Sequence, residues 1–152
     1  MNKKLLSASL AVALGAGYSL AAFAQAKPET LVKQRQSAMT LQGKYFGPMA
    51  AMAQGKAPFN AAVIARNAGY LDALSHMPWD GFDPNTKDVK SAALPAVYSD
   101  AGKFKQAQDD FQAAVGKLVV ASKGSDEAAT KAAIGAVGKA CGACHDDFRQ
   151  KP

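Results

Sequence analysis

The segment Cys141-Gly142-Ala143-Cys144-His145, close to the C-terminus, contains both cysteines of the chain. The pattern C-x-x-C-H is the attachment signature of a c-type haem. Two thiols at this spacing can add across the two vinyl groups of a porphyrin, and the histidine that follows can then bind the iron from the proximal side. The sequence therefore predicts a covalently bound haem, with Cys141 and Cys144 as attachment points and His145 as the axial ligand.

Two other uses of a C-x-x-C pair stay open at this point. The pair could be a redox dithiol or half of a zinc site. A thioredoxin-like dithiol would follow a strand pattern, and none precedes Cys141. A structural zinc site needs four ligands, and outside the motif the chain offers one further histidine, His76. A non-haem thiol or zinc protein is therefore the weaker interpretation.

Residues 1–24 have the pattern of a secretory signal peptide. Lys3 and Lys4 precede a run of apolar and small residues, and Ala22-Phe23-Ala24 fits the A-x-A cleavage pattern. The run is short and interrupted by glycine, which favours a cleaved leader over a retained membrane anchor. We therefore expect residues 25–152 to form one exported, periplasmic domain without a membrane anchor after processing.

The charge of this domain is mild. Of the 18 Lys and Arg residues, Lys3 and Lys4 lie in the leader, so 16 basic side chains face 12 acidic ones over residues 25–152. Because the basic residues are scattered rather than clustered on one stretch, a nucleic-acid partner is not expected. The sequence shows no acid–base constellation, no nucleophile with a partner base and no phosphate loop, so we do not expect an enzyme.

Apolar residues recur at steps of three and four along four segments, which predicts four helices. The first helix runs from Pro28 to about Ala53, the second is capped by Asn60 and stops before Pro78, the third runs from Pro95 to a C-terminal Gly124, and the fourth is capped by Ser125. In the long connection over 76–93, Trp79 and Phe82 should pack inward. The predicted fold is all-α, an antiparallel up-down-up-down four-helix bundle that encloses the covalently bound haem.

Four further residues can be placed around such a haem. Arg35 is a charge on an apolar helical seam, and it either reaches the surface or pairs with the haem propionates. A haem in the bundle favours the second role, which the adjacent Gln36 could share. Met39, one turn later, is either the sixth iron ligand or apolar packing on the distal side. Arg149, one turn after His145, is either a solvated side chain or a neighbour of the proximal face.

The chain resembles the class II c-type cytochromes, and within them the cytochrome c' family. The resemblance covers nearly all of residues 25–152. It rests on Lys27-Pro28-Glu29, Arg35-Gln36-x-x-Met39, Gly55-Lys56-Ala57-Pro58-Phe59, Met77-Pro78-Trp79 with Phe82, Tyr98-Ser99-Asp100, and the C-x-x-C-H motif with Arg149.

The resemblance implies one haem c per chain, often in a homodimer that packs through the first two helices. It implies that Arg35 and Gln36 contact the haem, that Met39 and Phe82 shape the distal pocket, and that Arg149 lies near the proximal face. Members of the c' type typically hold five-coordinate, high-spin iron and bind nitric oxide and carbon monoxide. A redox partner protein and one-electron transfer are also compatible with this family. In a low-spin branch a methionine of the first helix is the sixth ligand, so electron carriage with His145 and Met39 both on the iron stays the alternative.

Overall fold

The computed structural model describes residues 26–151, and the proposed signal peptide lies outside these residues. Four long helices and one short helix make up the fold: α1 (Pro28–Ala53), α2 (Ala61–Ser75), α3 (Ala96–Ser99), α4 (Ala101–Ala121) and α5 (Glu127–Phe148). Each long helix packs against two of the others, α1 on α2 and α5, and α4 on α2 and α5. The predicted four-helix bundle is thereby confirmed. Among the described residues, no helix combines the length and the hydropathy that a membrane span requires.

The ends of α1 and the start of α2 follow the predicted signals. Pro28 occupies the first turn of α1, where its missing N–H costs nothing. Gly55 follows the C-terminus with a φ of 70°, and Lys56 N donates to Ala51 O, which is the hydrogen bond of a Schellman cap. At α2, the side chain of Asn60 accepts a hydrogen bond from the Val63 amide.

Two boundaries differ from the prediction. The third helix does not begin at Pro95, because the chain makes the short α3 and then breaks at Asp100, whose side chain caps α4 by accepting from Lys103 N. Asp126, rather than Ser125, caps α5 by accepting from Ala129 N. Among the described residues, only Gly55 of the glycines has a positive φ, so Gly124 does not form the expected left-handed cap.

The apolar core fills one half of the bundle. Its buried members come from all four long helices: Met49, Ile64, Ala68, Leu71, Phe111, Val115, Leu118, Ile134 and Val137. The connection between α2 and α3 crosses the other half through two short 3-10 turns, Trp79–Phe82 and Pro84–Thr86. The chain after α5 is tied to this connection, because Gln150 N donates to Ala92 O and Leu94 N to Phe148 O. The C-x-x-C-H motif therefore lies at the end of the bundle that this connection covers.

Candidate haem site

The last turns of α5 place the three motif residues on the wall of one cavity. Cys141 and Cys144 are half-buried, and His145 is exposed. Residues three and four apart share one helical face, so both thiols and the imidazole open onto the same cavity of about 200 Å³.

The other walls of this cavity are almost entirely apolar. They come from α1, α2, the turn after α2, α4 and α5: Met39, Gln42, Gly43, Phe46, Leu71, Trp79, Ala107, Phe111, Val137 and Ala140. Gln42 and Trp79 carry polar groups, and both donate hydrogen bonds to backbone carbonyls at the end of α2. The Gln42 amide donates to Leu74 O at 2.9 Å, and the Trp79 indole donates to Ser75 O at 2.6 Å. Met39 and His145 thus line the same apolar space.

The pKa values of both thiols are raised, whereas a reactive dithiol needs a lowered pKa. Burial raises the pKa of the Cys141 thiol to about 11, and the neighbouring Cys144 adds to the rise. Burial and the charge of Asp147 likewise raise the pKa of Cys144. Catalytic thiols instead have lowered pKa values, commonly at a helix N-terminus, whereas this pair lies in the last turns of α5. Among residues 26–151, no group of three or more His, Cys, Asp or Glu residues is arranged to hold a metal ion.

His145 is suited to donate a lone pair to a metal. Partial burial lowers the pKa of its imidazole, the charge of Arg149 lowers it further, and Asp146 opposes these effects. The side chain is therefore predominantly neutral at neutral pH, which is the form that binds metals. Arg149 itself is exposed and ends α5, with its amide donating to His145 O at 3.1 Å.

Arg35 is buried, with 2% of its surface exposed. Its Nη1 donates to Gly81 O at 2.6 Å and also lies 3.2 Å from both the Thr86 and Tyr98 hydroxyls, while Nη2 donates to Ser91 Oγ at 2.9 Å. All four acceptors are neutral, and within the described residues Arg35 makes no salt bridge. A guanidinium has five N–H groups, so these contacts leave Nε–H and one Nη2–H for a further acceptor. Arg35 does not line the cavity that contains the motif.

Phe82 packs against the Arg35 guanidinium. Its ring lies 4.2 Å from the Arg35 guanidinium carbon, which is a cation–π contact. It also stacks on Trp79 and meets Phe104 edge-on, and Phe104 in turn meets Phe148 of α5. The inward packing predicted for Trp79 and Phe82 is confirmed, but Trp79 rather than Phe82 lines the cavity.

Gln36 and Arg35 are adjacent in sequence, but their side chains point in different directions from α1. Arg35 faces inward, whereas Gln36 is exposed on α1. Thr86 and Ser91, which bind the Arg35 guanidinium from positions 51 and 56 residues away, carry no signal in the sequence that would indicate this role. Tyr98 was noted as part of a family motif, and its contact with Arg35 gives that motif a structural reason.

Comparison with known proteins identifies the family. The family model described as Cytochrome C' matches residues 30–149. The chain belongs to the cytochrome c' family.

Relatives within this family align along nearly their whole length. The chain is 51% identical over 126 residues to cytochrome c' of Rubrivivax gelatinosus. This alignment covers 82% of this chain and 98% of that protein. It superposes with a TM-score of 0.78 on a nitric oxide complex of a cytochrome c prime variant from Alcaligenes xylosoxidans, at 44% identity and covering 84% and 99% of the two chains. A carbon monoxide-bound variant from the same organism gives a TM-score of 0.76 at 45% identity, covering 83% and 98%.

Cytochromes c' carry covalently bound haem c, and the residues present here fit that group. Two protonated thiols and a neutral imidazole open onto one apolar cavity, at the spacing that c-type attachment uses. The haem c of this cytochrome c' therefore has a site that the chain's own residues can form.

Proposed function

We propose that this cytochrome c' is a periplasmic haem protein that binds nitric oxide and carbon monoxide on five-coordinate iron. Cys141 and Cys144 hold the haem covalently, and His145 is the axial ligand. The bound haem supplies the iron that takes the gas and that exchanges one electron with a redox partner. No enzymatic role is proposed.

The apolar surface around Met39 carries this proposal. The polarity and the hydrogen-bond donors of a distal pocket decide which ligands a haem protein accepts. Here the neighbouring side chains are apolar, the Trp79 N–H is bound to Ser75 O, and one N–H of Gln42 is bound to Leu74 O. Such a surface favours small neutral gases over anions or ligands that need a hydrogen bond. The nitric oxide and carbon monoxide complexes of the relatives support the same assignment.

Arg35 is the proposed partner of the haem propionates, with Gln36 beside it. Its guanidinium is buried among neutral acceptors and retains N–H groups that could serve a carboxylate. A buried charge without a counter-ion is costly, so a haem carboxylate would offset that cost. Met39 and Phe82 are proposed to shape the distal side, the first by lining the cavity and the second by fixing Arg35 and Trp79. Arg149 is proposed to act at the proximal side through its charge near His145.

A homodimer through α1 and α2 is part of the proposal. Leu41 on α1 and Tyr70 on α2 are exposed large side chains, as is Met77 just after α2. Exposed apolar groups on neighbouring elements are a common mark of a protein–protein contact.

The second candidate function is electron carriage by a low-spin haem with His145 and Met39 as its two ligands. One observation favours it, since Met39 lines the same cavity as His145. Its thioether would then close the position that a gas needs.

Optical spectra of the ferrous holoprotein separate these two functions. Five-coordinate iron predicts a broad high-spin Soret band that changes when nitric oxide is added, and Met39→Ala should leave the protein high-spin. A sharp low-spin spectrum that Met39→Ala converts to high-spin would instead establish the second function. Met52→Ala is the matched control, because Met52 is also half-buried on α1 but packs against the core cluster.

A further inference from the structure

A groove runs along the outer side of the bundle between α4 and α5. It has a volume of about 410 Å³, and five alanines of the two helices line it. Ala136 and Ala143 of α5 are exposed there, whereas neither cysteine nor His145 takes part in its lining. The groove therefore lies on a different face of α5 from the haem attachment site.

The wall between this groove and the cavity of the motif is thin. Ala107 of α4 and Ala140 of α5 line both spaces. A haem in the cavity is therefore separated from the groove at these positions by an alanine side chain. Because electron transfer slows steeply with the distance between two redox centres, a protein seated in the groove would be well placed to exchange an electron with this haem.

Four exposed charges of alternating sign border the groove. Lys103 on α4 and Asp147 on α5 face each other at one end, with 3.1 Å between Lys103 Nζ and Asp147 Oδ2. Asp110 follows Lys103 by seven residues, which places it about 10 Å further along the groove. On the antiparallel α5, Lys139 precedes Asp147 by eight residues and so lies about 12 Å along in the same direction. Each helix thus presents one Lys and one Asp at the rim, in opposite order.

This charge pattern is complementary to itself. A two-fold rotation that brings the grooves of two copies face to face places every Lys opposite an Asp, whether the axis runs along the groove or across it. Two-fold contacts of this kind are the commonest in homo-oligomers. Asp110 and Lys139 form no salt bridge within residues 26–151, so their charges are not already paired.

The same face is compatible with the proposed homodimer. Since α1 packs on α2 and α5, and α4 packs on α2 and α5, the α4–α5 side of the bundle lies opposite the α1–α2 side. A contact through α4 and α5 would therefore leave the α1–α2 surface uncovered, and the two contacts can form together.

We propose that the α4–α5 face is the surface on which a second copy of this chain docks transiently, so that one electron passes from one haem to the other. This inference rests on the one-electron transfer included in the proposed function. In the exchange a ferrous copy loses one electron to a ferric copy, so the two copies trade oxidation states and no other reactant is consumed. A small contact with charges at its rim suits such an encounter, because electron-transfer complexes have the smallest interfaces.

The electron self-exchange rate of the holoprotein tests this surface. The line widths of haem methyl signals in nuclear magnetic resonance spectra of mixed ferric and ferrous protein give the rate. Because both partners are the same protein, the reaction has no driving force, and a change in reduction potential cancels. Lys139→Asp turns two of the four rim contacts repulsive and should slow exchange roughly twofold to thirtyfold, since each exposed ion pair contributes a factor of about one and a half to five.

Lys87→Asp is the matched control. Lys87 is exposed in the connection after α2, outside both faces, and its substitution changes the net charge by the same amount. Since basic side chains outnumber acidic ones, two copies repel each other overall, and a lower net charge by itself speeds their encounter. Lys87→Asp should therefore leave exchange as fast as in the unaltered protein or slightly faster.

Reversing all four rim charges together gives a rescue variant. It regenerates the alternating pattern with an unchanged net charge, so exchange should return to within about twofold of the unaltered protein. The variant combines Lys103→Asp, Asp110→Lys, Lys139→Asp and Asp147→Lys.

Slow exchange for Lys139→Asp, restored by the rescue variant and absent from Lys87→Asp, supports the docking face. Equal rates for Lys139→Asp and Lys87→Asp overturn it, as does a rescue variant that stays slow. If chemical reductants and oxidants do not interconvert the ferric and ferrous holoprotein, the proposed electron transfer itself fails.

Carbodiimide cross-linking gives a readout that does not depend on the iron, because it joins an amine to a carboxylate only where the two are in contact. In a mixture of ¹⁵N-labelled and unlabelled holoprotein, hybrid peptides should join Lys139 of one copy to Asp110 or Asp147 of the other. The labelling separates them from a link between Lys103 and Asp147 within one chain. Hybrid peptides that never include Lys139 would contradict the proposal.

Discussion

The backbone of Gly81, in the connection after α2, packs directly against the side chain of Arg35 on α1. Arg35 Nη1 donates to Gly81 O at 2.6 Å, and a Cβ on Gly81 would lie 2.6 Å from Arg35 Cβ and 2.8 Å from Leu31 O. Both distances are shorter than such contacts allow, and one partner is backbone. The absence of a side chain at position 81 is therefore what lets this loop reach the buried guanidinium.

Gly81→Ala should destabilise the holoprotein for this reason. Forcing one methyl group into a close-packed contact typically costs about 1–3 kcal/mol. We expect a lower midpoint of guanidinium chloride unfolding, followed by circular dichroism. Gly124→Ala is the control, because its Cβ would make an ordinary 3.5 Å contact with Ala121 O. Equal midpoints for Gly81→Ala and the unaltered protein would show that the loop moves freely away from Arg35.

Tyr98 and Thr86 form the second half of the arginine site, and their geometry fixes the direction of each hydrogen bond. Thr86 Oγ1 lies 2.7 Å from Asp83 O, an acceptor, so its proton is directed there. The Tyr98 hydroxyl, 2.9 Å from Thr86 Oγ1, must then be the donor of that pair while its oxygen accepts from Arg35. The chain of donors thus runs from Arg35 through Tyr98 and Thr86 to Asp83.

Tyr98→Phe interrupts this chain and should lower the free energy of unfolding by roughly 0.5–1.5 kcal/mol, the usual net contribution of one hydrogen bond, because Arg35 and Thr86 keep their other partners. In a Thr86→Val background the same change should cost less, because the acceptor of the Tyr98 proton is already gone. Tyr70→Phe serves as the control, since Tyr70 is 47% exposed and is held through ring contact with Tyr45. A loss for Tyr98→Phe that is unaltered by Thr86→Val would mean that the two hydroxyls act independently.

The start of α5 gives a direct comparison between sequence and structure. Asp126 accepts from Ala129 N at 2.9 Å, so Asp126→Ala should cost about 1 kcal/mol of stability. Ser125→Ala should leave stability nearly unchanged. Thermal unfolding of both variants measures this, and a larger loss for Ser125→Ala would restore the boundary that the sequence suggested.

The fold could be predicted because its signals are local. The apolar spacing along each helix, the Pro28 and Asn60 starts and the Gly55 stop lie within a turn of the feature that they specify. The start of α5 was predicted one residue too early, because two cap-forming residues are adjacent there. Ser125 and Asp126 are both good N-caps, and their backbone conformations, which the sequence does not state, decide between them.

The motif residues could also be predicted, since their chemistry lies within five consecutive positions. The arginine site could not, because its partners at 81, 86, 91 and 98 come together only when the connection folds back on α1. Arg35 was identifiable as a charge on an apolar seam, but nothing local indicates which groups meet it. Likewise, adjacency in sequence suggested that Gln36 shares the role of Arg35, but consecutive residues of a helix point about 100° apart, and here Arg35 is buried while Gln36 is exposed.

Peptide mass mapping tests the central claim, that Cys141 and Cys144 hold the haem. Trypsin cleaves after Lys139 and Arg149, which isolates residues 140–149 with both thiols and His145. In protein exported by cells with active cytochrome maturation, we expect this peptide to carry the mass of one haem and to retain Soret absorbance, with neither thiol open to alkylation. The same peptide at its unmodified mass, with both thiols alkylated, would contradict the account.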